Sequence, residues 1–350
     1  MKIKSIKFIT LLILMLVISC DEPDTVITNW IHPDGSVTRM IEMRSSKNEF
    51  KSSDIQVPFD KTWAVTDSLE IDESGDTIWI RRAEKLFKNV EEINLSYVTD
   101  SGANRHISRR AGFERKFKWF NTEYRFSESI DQELPIDYHV RDFLNDDELI
   151  YFYSPDNLKY EKEMGPDSLK YRALSDSVSQ KTEMWSIKCL IAVWIDEFSK
   201  LIRNEEGGEK AIESLKSHED DLFNMALSDE EILDSLWFNG IILQEYIGSV
   251  AYEKFKEKSD TANERTVDQL WVDFKEYSVR AVMPGKVTRT NGFIDSSEVL
   301  LWPVKSDYFL TEAYEMWAES KTPNKWAWIF SGLFLVFVFT GVILRIIKRG

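Results

Sequence analysis

The chain has 350 residues, 43% of them hydrophobic and 13% aromatic, so it can bury a sizeable core and is not a disordered polymer. Its formal net charge is −16, from 60 acidic and 44 basic residues. An acidic body repels phosphate backbones and anionic lipid headgroups, so nucleic acid is excluded as an expected partner. With only two cysteines, a disulfide framework is also excluded.

The amino-terminal residues 1–19 have the composition of a secretory signal peptide. Three lysines precede Phe8 to Ile18, an apolar run of eleven residues, which is shorter than the ~20 residues that a membrane-spanning helix needs. The run closes with Val17-Ile18-Ser19-Cys20, which resembles the lipobox of bacterial lipoproteins. That resemblance implies that Cys20 is lipidated and contacts membrane lipid. The alternative is an ordinary signal peptide that happens to contain a cysteine.

The carboxy-terminal segment predicts a transmembrane helix over residues 326–347. Residues 327–344 carry no charge and would rise about 27 Å as a helix, close to the thickness of a bilayer core. Basic residues follow this run: Arg345, Lys348 and Arg349. Because cytoplasmic flanks are enriched in Lys and Arg, we expect residues 348–350 to be cytoplasmic. The expected location is the bacterial inner (plasma) membrane, with a single pass and the body in the periplasm or outside. A buried helix is the alternative.

Strand-like alternation dominates the first part of the body, and helical spacing dominates the later part. Three hairpins are predicted, over residues 27–41 around Pro33-Asp34-Gly35-Ser36, over residues 63–82 around Asp72-Glu73-Ser74-Gly75-Asp76, and over residues 113–126 around Asn121-Thr122. Residues 127–180 receive no assignment. Apolar residues then recur every three or four positions from Met184 to Ile202, which predicts an amphipathic helix. By its period, Tyr308 to Glu319 fits either a helix or a strand.

These patterns give the following predicted organisation. It comprises a signal peptide over residues 1–19, a mainly β part over 20–180, a helical insertion over 181–278, returning strands over 279–320, a transmembrane helix over 326–347 and a tail over 348–350. The predicted fold class is therefore α+β, with the helical region inserted between early and late strands.

Two segments resemble LppM-type bacterial lipoproteins. One runs from Met283-Pro284-Gly285-Lys286-Val287 through Asn291-Gly292 to a strand ending in Trp302, and the other is Asp34-Gly35-Ser36. The resemblance implies an antiparallel sheet made of N- and C-terminal strands, with the helices inserted and a membrane helix after the last strand. It favours a strand for Tyr308 to Glu319. Domains of this type are thought to handle lipids.

No catalytic, cofactor-binding or metal-binding residues are predicted. The four histidines, His32, His106, His139 and His218, lack a partner at helical metal-ligand spacing. The acidic runs Asp146-Asp147-Glu148 and Glu205-Glu206 lack the loop of a calcium site. Cys189 lies in an apolar helical context, which predicts a buried, inert thiol.

The expected function is that of a non-catalytic, membrane-anchored envelope lipoprotein that binds a partner protein or an apolar or lipid ligand. The expected membrane contacts are Cys20 and the carboxy-terminal helix. An envelope hydrolase that uses acidic loop residues within 127–180 is the alternative, and it requires a concave cluster of acids with raised pKa. A structural component of a membrane complex is a third hypothesis, close to the first.

Overall fold

The computed structural model describes residues 24–50, 57–72, 74–100, 102, 105–228, 240–270, 274–295 and 299–348. The signal peptide and Cys20 lie outside these residues. The chain is an α+β protein, as predicted, and divides into two units. A unit of mostly strands, the sheet unit, comprises residues 24–131, 276–304 and 314–348, and a helical unit comprises residues 132–275 and 305–313.

The chain leaves the sheet unit for the helical unit twice and returns to it each time. The strands are β1 (Asp24–Ile31), β2 (Val37–Ser45), β3 (Ala64–Ile71), β4 (Thr77–Phe87), β5 (Arg109–Phe117), β6 (Asn121–Ile130), β7 (Tyr277–Val282), β8 (Lys286–Thr290), β9 (Phe293–Ile294), β10 (Leu300–Val304) and β11 (Tyr314–Pro323). The helices are α1 (Val90–Val98), α2 (Asp146–Phe152), α3 (Asp156–Met164), α4 (Ser168–Ile202), α5 (Gly208–Ser217), α6 (Glu219–Ser228), α7 (Ile241–Ile247), α8 (Ser249–Leu270), α9 (Ser306–Phe309) and α10 (Lys325–Ile347).

The strands form two sheets in which early and late segments are neighbours. One sheet has the order β3-β4-β2-β1-β7-β10-β9, and the other has the order β5-β6-β11-β8. The predicted pairing of N- and C-terminal strands is confirmed, because β1 lies beside β7 and β6 lies beside β11. The β1–β7 pair is parallel, whereas the other pairs among the described strands are antiparallel.

The three predicted hairpins are present as β1–β2, β3–β4 and β5–β6. In the first turn Ser36 N donates to Asp34 Oδ1 at 3.0 Å, and Gly35 has a φ of +93°, which favours glycine. The predicted position of the third turn is wrong: the turn consists of Lys118-Trp119-Phe120, because Lys118 N donates to Asn121 O at 2.8 Å. Asn121 and Thr122 begin β6 instead.

The two sheets of the sheet unit pack through their alternating buried positions. Along β2 every second residue from Val37 to Ser45 is buried, and along β6 every second residue from Thr122 to Ile130 is buried. Arg39 of β2 reaches Glu128 of β6 at 2.8 Å, so these two faces meet. The core between them also includes Ile41 and Phe126.

The helical unit begins earlier than predicted. Helices start at Asp146, so residues 132–180 do not belong to a mainly β part, and residues 181–278 are only part of the helical region. The reason is local: Asn145 and Glu148 form a capping box that starts α2. At the far end α8 stops at Leu270 and β7 starts at Tyr277, so the helical prediction is also wrong at residues 277 and 278.

The core of the helical unit is aromatic and aliphatic. Trp194 and Phe198 of α4 stack at 5.3 Å, and Phe255 of α8 meets Phe198 edge-on at 6.4 Å. The helix α4, 35 residues long, carries the predicted apolar stripe on its second half. The unit therefore depends on one long helix against which α5, α6 and α8 pack.

The last part of the chain divides between a short helix, a strand and a long helix. Residues 308–309 are helical in α9, which contradicts the strand interpretation, whereas residues 314–319 lie in β11 and agree with it. In the part of the chain that the structure describes, one helix is long and apolar enough to cross a membrane. This is α10, with mean hydropathy 2.4 and 6% of its apolar window buried.

Candidate functional site

The β5–β6 hairpin tip is hydrogen-bonded to the start of α10. Asn324, between β11 and α10, donates from its backbone N to Phe120 O at 2.9 Å and from Nδ2 to Lys118 O at 2.7 Å. Its Oδ1 accepts from Thr122 Oγ1 at 3.0 Å. A single asparagine at the N-cap position of α10 thus satisfies two carbonyls of the hairpin turn, which fixes the tip beside the helix.

Five aromatic residues surround this junction, and we call them the aromatic collar: Phe117, Trp119, Phe120, Trp326 and Trp328. Phe117 and Trp119 contact the Trp326 ring at 6.3 and 5.2 Å, and Phe120 contacts Trp328 at 4.5 Å. Trp119 Nε1 donates to Ser331 Oγ at 3.0 Å, which joins the tip to the first turns of α10.

The collar stays half-exposed in spite of these contacts. Its members have between 42% and 58% of their surface accessible. Large aromatic rings that pack on each other and still face outward are unusual in water, but an apolar body with a polar N–H suits the interface between lipid and water. The collar therefore has the composition and exposure that are typical of side chains at a lipid–water interface.

A buried charge network occupies the interior of the sheet unit. Arg39 is 2% exposed and donates through its three guanidinium nitrogens: Nε to Asn29 Oδ1 at 2.7 Å, and the terminal nitrogens to Tyr97 Oη at 2.7 Å and to Glu128 Oε2 at 2.8 Å. Tyr97 Oη in turn donates to Glu128. Burial alone lowers the pKa of Arg39, but Glu128 and Tyr97 raise it overall, so the guanidinium stays charged. Burial raises the pKa of Tyr97.

This network determines what the space between the two sheets can hold. A lipid chain requires an apolar space, and the place where β2 faces β6 is filled by a guanidinium, a carboxylate and a phenol. Such groups are tolerated in a core only when their hydrogen bonds are made, which is the case for Arg39. The interior at this point is therefore a structural connection between the sheets and not a ligand chamber.

Two acidic residues of the 127–180 segment, Glu148 and Asp156, form ion pairs with lysines. Glu148 accepts from Lys181 Nζ at 2.7 Å and from Ser177 Oγ at 2.7 Å, and Lys181 is the main cause that lowers the pKa of Glu148 to about 2. Burial opposes ionisation of Asp156, yet Lys305 and other lysine contacts lower its pKa overall. A general acid at neutral pH needs a raised pKa, so neither carboxylate has the property that the hydrolase hypothesis requires.

The remaining candidate residues are placed as follows. Cys189 is fully buried, as predicted, and burial raises the pKa of its thiol to about 12. His139 Nδ1 lies 2.9 Å from Thr311 O, and His218 Nδ1 lies 2.7 Å from Ser214 O. Among the described residues, no group of three or more His, Cys, Asp and Glu side chains is positioned to hold a metal ion. Cys20 lies outside the described residues.

The motif residues of the late strands lie at two turns, one between β7 and β8 and one between β8 and β9. Asn291 Oδ1 accepts from Trp302 Nε1 at 3.0 Å and from Trp317 N at 2.9 Å, so one side chain bonds to both sheets. A Cβ on Gly292 would lie 2.4 Å from the Trp302 ring, and a Cβ on Gly285 would lie 2.4 Å from Lys321 O. The asparagine and the two glycines are therefore required for packing.

The chain matches no protein family model and no curated protein sequence. Among solved structures it is similar to the folded domain of the Mycobacterium tuberculosis LppM protein, determined by NMR. The two are 10% identical, the match covers 87% of this chain and 92% of that one, and the TM-score is 0.27. A similarity of this size carries no argument about function, and the resemblance to LppM-type lipoproteins stays a prediction from the residues.

Proposed function

We propose that the chain is a non-catalytic envelope protein anchored in the bacterial inner membrane, which presents its body to a partner protein at the membrane surface. The observation that carries this proposal is α10: an apolar helix of 23 residues that is almost wholly exposed and leaves the sheet unit through the aromatic collar. A helix with this composition is stable only when something apolar surrounds it, and a bilayer core has the matching thickness of about 30 Å.

The orientation follows from charge. The tail after α10 carries Arg345, Lys348 and Arg349, and the excess of basic residues that flanks a membrane helix is found on its cytoplasmic side. The body then lies outside the cytoplasm, which agrees with the predicted signal peptide, and lipidation of Cys20 adds a second anchor.

A partner protein is favoured over a lipid held inside the body. The core between β2 and β6 is occupied by the Arg39–Glu128 network, so an apolar ligand has no space there. By contrast, the helical unit exposes apolar side chains: Tyr160 and Met164, on one face of α3, are each 62% exposed, and Leu169 is 82% exposed. Neighbouring exposed apolar side chains of this kind are a common feature of protein contact surfaces.

The anchoring is tested by fractionation and by reporter fusions. The full-length protein should resist extraction with alkaline carbonate. A reporter enzyme that is active only in the cytoplasm should be active when it is fused after Gly350. Recovery in the soluble fraction, or a carboxy terminus accessible from outside the cell, would contradict the proposal.

Partner binding is tested by photo-crosslinking in intact cells. A photoreactive residue at Tyr160 or Leu169 of the helical unit should give a discrete adduct of constant mass, whereas the same residue at Ser68 of β3, an exposed polar position of the sheet unit, is the matched control and should give none. Lipid-only products, no discrete protein adduct at Tyr160 and Leu169, or the same adducts at Ser68 would count against a protein partner at this surface.

A further inference from the structure

The four-stranded sheet carries a row of basic side chains beside the aromatic collar. Lys116 of β5 pairs in register with Glu123 of β6, Glu123 pairs with Lys321 of β11, and Lys321 pairs with Lys286 of β8. Residues in register across neighbouring strands project from the same face of a sheet. The three lysines are exposed, and we call Lys116, Lys286 and Lys321 the basic row.

The next row on the same face has a different charge pattern. It contains Glu114, Arg125, Glu319 and Arg289 in register across the same strands. Arg125 contacts Glu319 at 3.0 Å, and Arg289 contacts Glu319 at 3.6 Å, so acids and bases alternate and compensate each other. The excess of positive charge is therefore confined to the row that lies nearest to the hairpin tip and α10.

Further basic residues extend this charge around the collar. Lys118 is in the hairpin tip itself and binds Glu123 at 2.5 Å, which neutralises the acid that lies in register between Lys116 and Lys321. Lys325 is the first residue of α10 and is exposed. Because acidic residues outnumber basic ones in this chain, whose net charge is −16, composition alone does not lead us to expect a local cluster of lysines. It lies where aromatic rings would enter a lipid interface.

We propose that the aromatic collar and the basic row form one binding site for the surface of an anionic bilayer. The collar rings lie at the level of the lipid carbonyls. The lysine ammonium groups of the basic row contact the lipid phosphates, about one residue position along the strands further from the bilayer centre. This inference rests on the proposed anchoring by α10. It adds a specificity for anionic headgroups in the leaflet that faces the body.

The geometry gives this site a mechanical role. A lone transmembrane helix lets the attached body tilt and rotate, whereas a hairpin tip bonded to the helix through Asn324 and seated in the same interface adds a second point of contact. The sheet unit is thereby held at a fixed height and orientation above the bilayer.

The test uses the purified full-length protein in liposomes that contain brominated lipids, which quench only tryptophans close to the bilayer. Quenching by brominated phosphatidylglycerol is compared with quenching by brominated phosphatidylcholine. At low salt the wild type should prefer phosphatidylglycerol by at least about fivefold, the factor that a single one of the three lysines contributes at about 1 kcal/mol. In 1 M salt the preference should approach one, because the screening length falls to about 3 Å.

Two sets of matched variants locate the contact. The triple variant K116E/K286E/K321E should lose the preference for phosphatidylglycerol. The triple variant K61E/K88E/R110E changes the net charge equally, at exposed positions of the same unit outside the basic row, and should keep it. For the collar, Trp119→Phe should lower the quenched fraction of fluorescence, whereas Trp79→Phe, on the other sheet, should not.

The inference is overturned if the wild type shows no preference, if both charge variants behave alike, or if Trp119→Phe leaves the quenched fraction unchanged. Carbonate extraction of the same variants separates this outcome from failure of the proposed function. Variants that stay membrane-bound without lipid preference refute the lipid site alone, whereas a wild-type protein that leaves the membrane refutes the anchoring itself.

Discussion

The two units of this protein bury polar groups in different ways. In the sheet unit a full ion pair, Arg39–Glu128, lies in the middle of the core, with side chains 2% and 5% exposed. In the helical unit the core around Trp194 and Phe198 is apolar. The buried Lys188 side chain pairs with Asp220, whose side chain is 90% exposed. A strand sends every second residue inward, so a polar residue at such a position needs a partner on the facing sheet. A long helical side chain can instead reach the surface.

The largest effect is expected from breaking the buried pair of the sheet unit. Arg39→Met should lower the free energy of unfolding of that unit by roughly 3–5 kcal/mol, because Glu128 is left buried without its cation. Hydrogen exchange of the detergent-solubilised full chain, measured at increasing urea concentrations, gives the free energy of unfolding of each unit separately. The triple variant R39M/Y97F/E128L should regain most of the loss. If it is as unstable as the single variant, the pair is not what makes the position sensitive.

A slightly smaller effect is expected in the apolar core of the helical unit. Phe198→Ala should cost roughly 3 kcal/mol, because Phe198 is fully buried between Trp194 and Phe255 and its removal leaves a cavity. Leu169→Ala, on the same helix but 82% exposed, is the control and should change stability by less than about 0.5 kcal/mol. Equal losses in both variants would mean that α4 does not form this core.

The partly buried pair of the helical unit should give an intermediate, pH-dependent effect. The pKa of Glu148 is lowered from 4.5 to about 2, so its contribution to stability is complete above pH 4.5 and is lost as the pH falls toward 2. Glu148→Gln should cost roughly 1–2 kcal/mol at pH 7 and flatten the stability profile over that window. The exposed Glu161→Gln is the control. A steep acid profile that persists in Glu148→Gln would rule out this carboxylate as its cause.

The smallest effect is expected for an exposed ion pair of the sheet unit. Asp67 and Arg81 face each other across β3 and β4 at 2.8 Å, but their side chains are 50% and 30% exposed. Asp67→Asn should therefore cost at most about 0.5 kcal/mol in urea unfolding. A loss as large as that of Arg39→Met would show that burial is not what separates the two pairs.

Local features of the sequence predicted the hairpins well, because turns are determined by a few neighbouring residues. The Asp34 side chain bonds to the backbone of Ser36, and Gly35 supplies the positive φ. The sequence pattern does not predict helix α1, because Val90 to Val98 includes several β-branched and polar residues with low helix propensity. Its local indications are Asn89, which caps the helix by accepting from Glu92 N at 3.1 Å, and the acidic Glu91 and Glu92 in the first turn.

The candidate sites depended on long-range contacts that no local pattern contains. The alternation Val37, Arg39, Ile41 does place Arg39 on the buried face of β2, and this indication was available in the sequence. Its partner Glu128, however, is 89 residues away, and only the packing of the two sheets identifies it. Likewise, the basic row consists of residues from three strands, and their register had to be known before their charges could be added.

The parallel pairing of β1 with β7 has a consequence for biogenesis. Val26 lies beside Ser278, so the amino-terminal strand must wait during synthesis for a neighbour that is made about 250 residues later. Most of the helical unit is contiguous, from residue 132 to residue 275, and can fold while the rest of the chain is still being made. We expect the seven-stranded sheet to close last, and a nascent chain stalled after residue 275 to protect α4 but not β1 from protease.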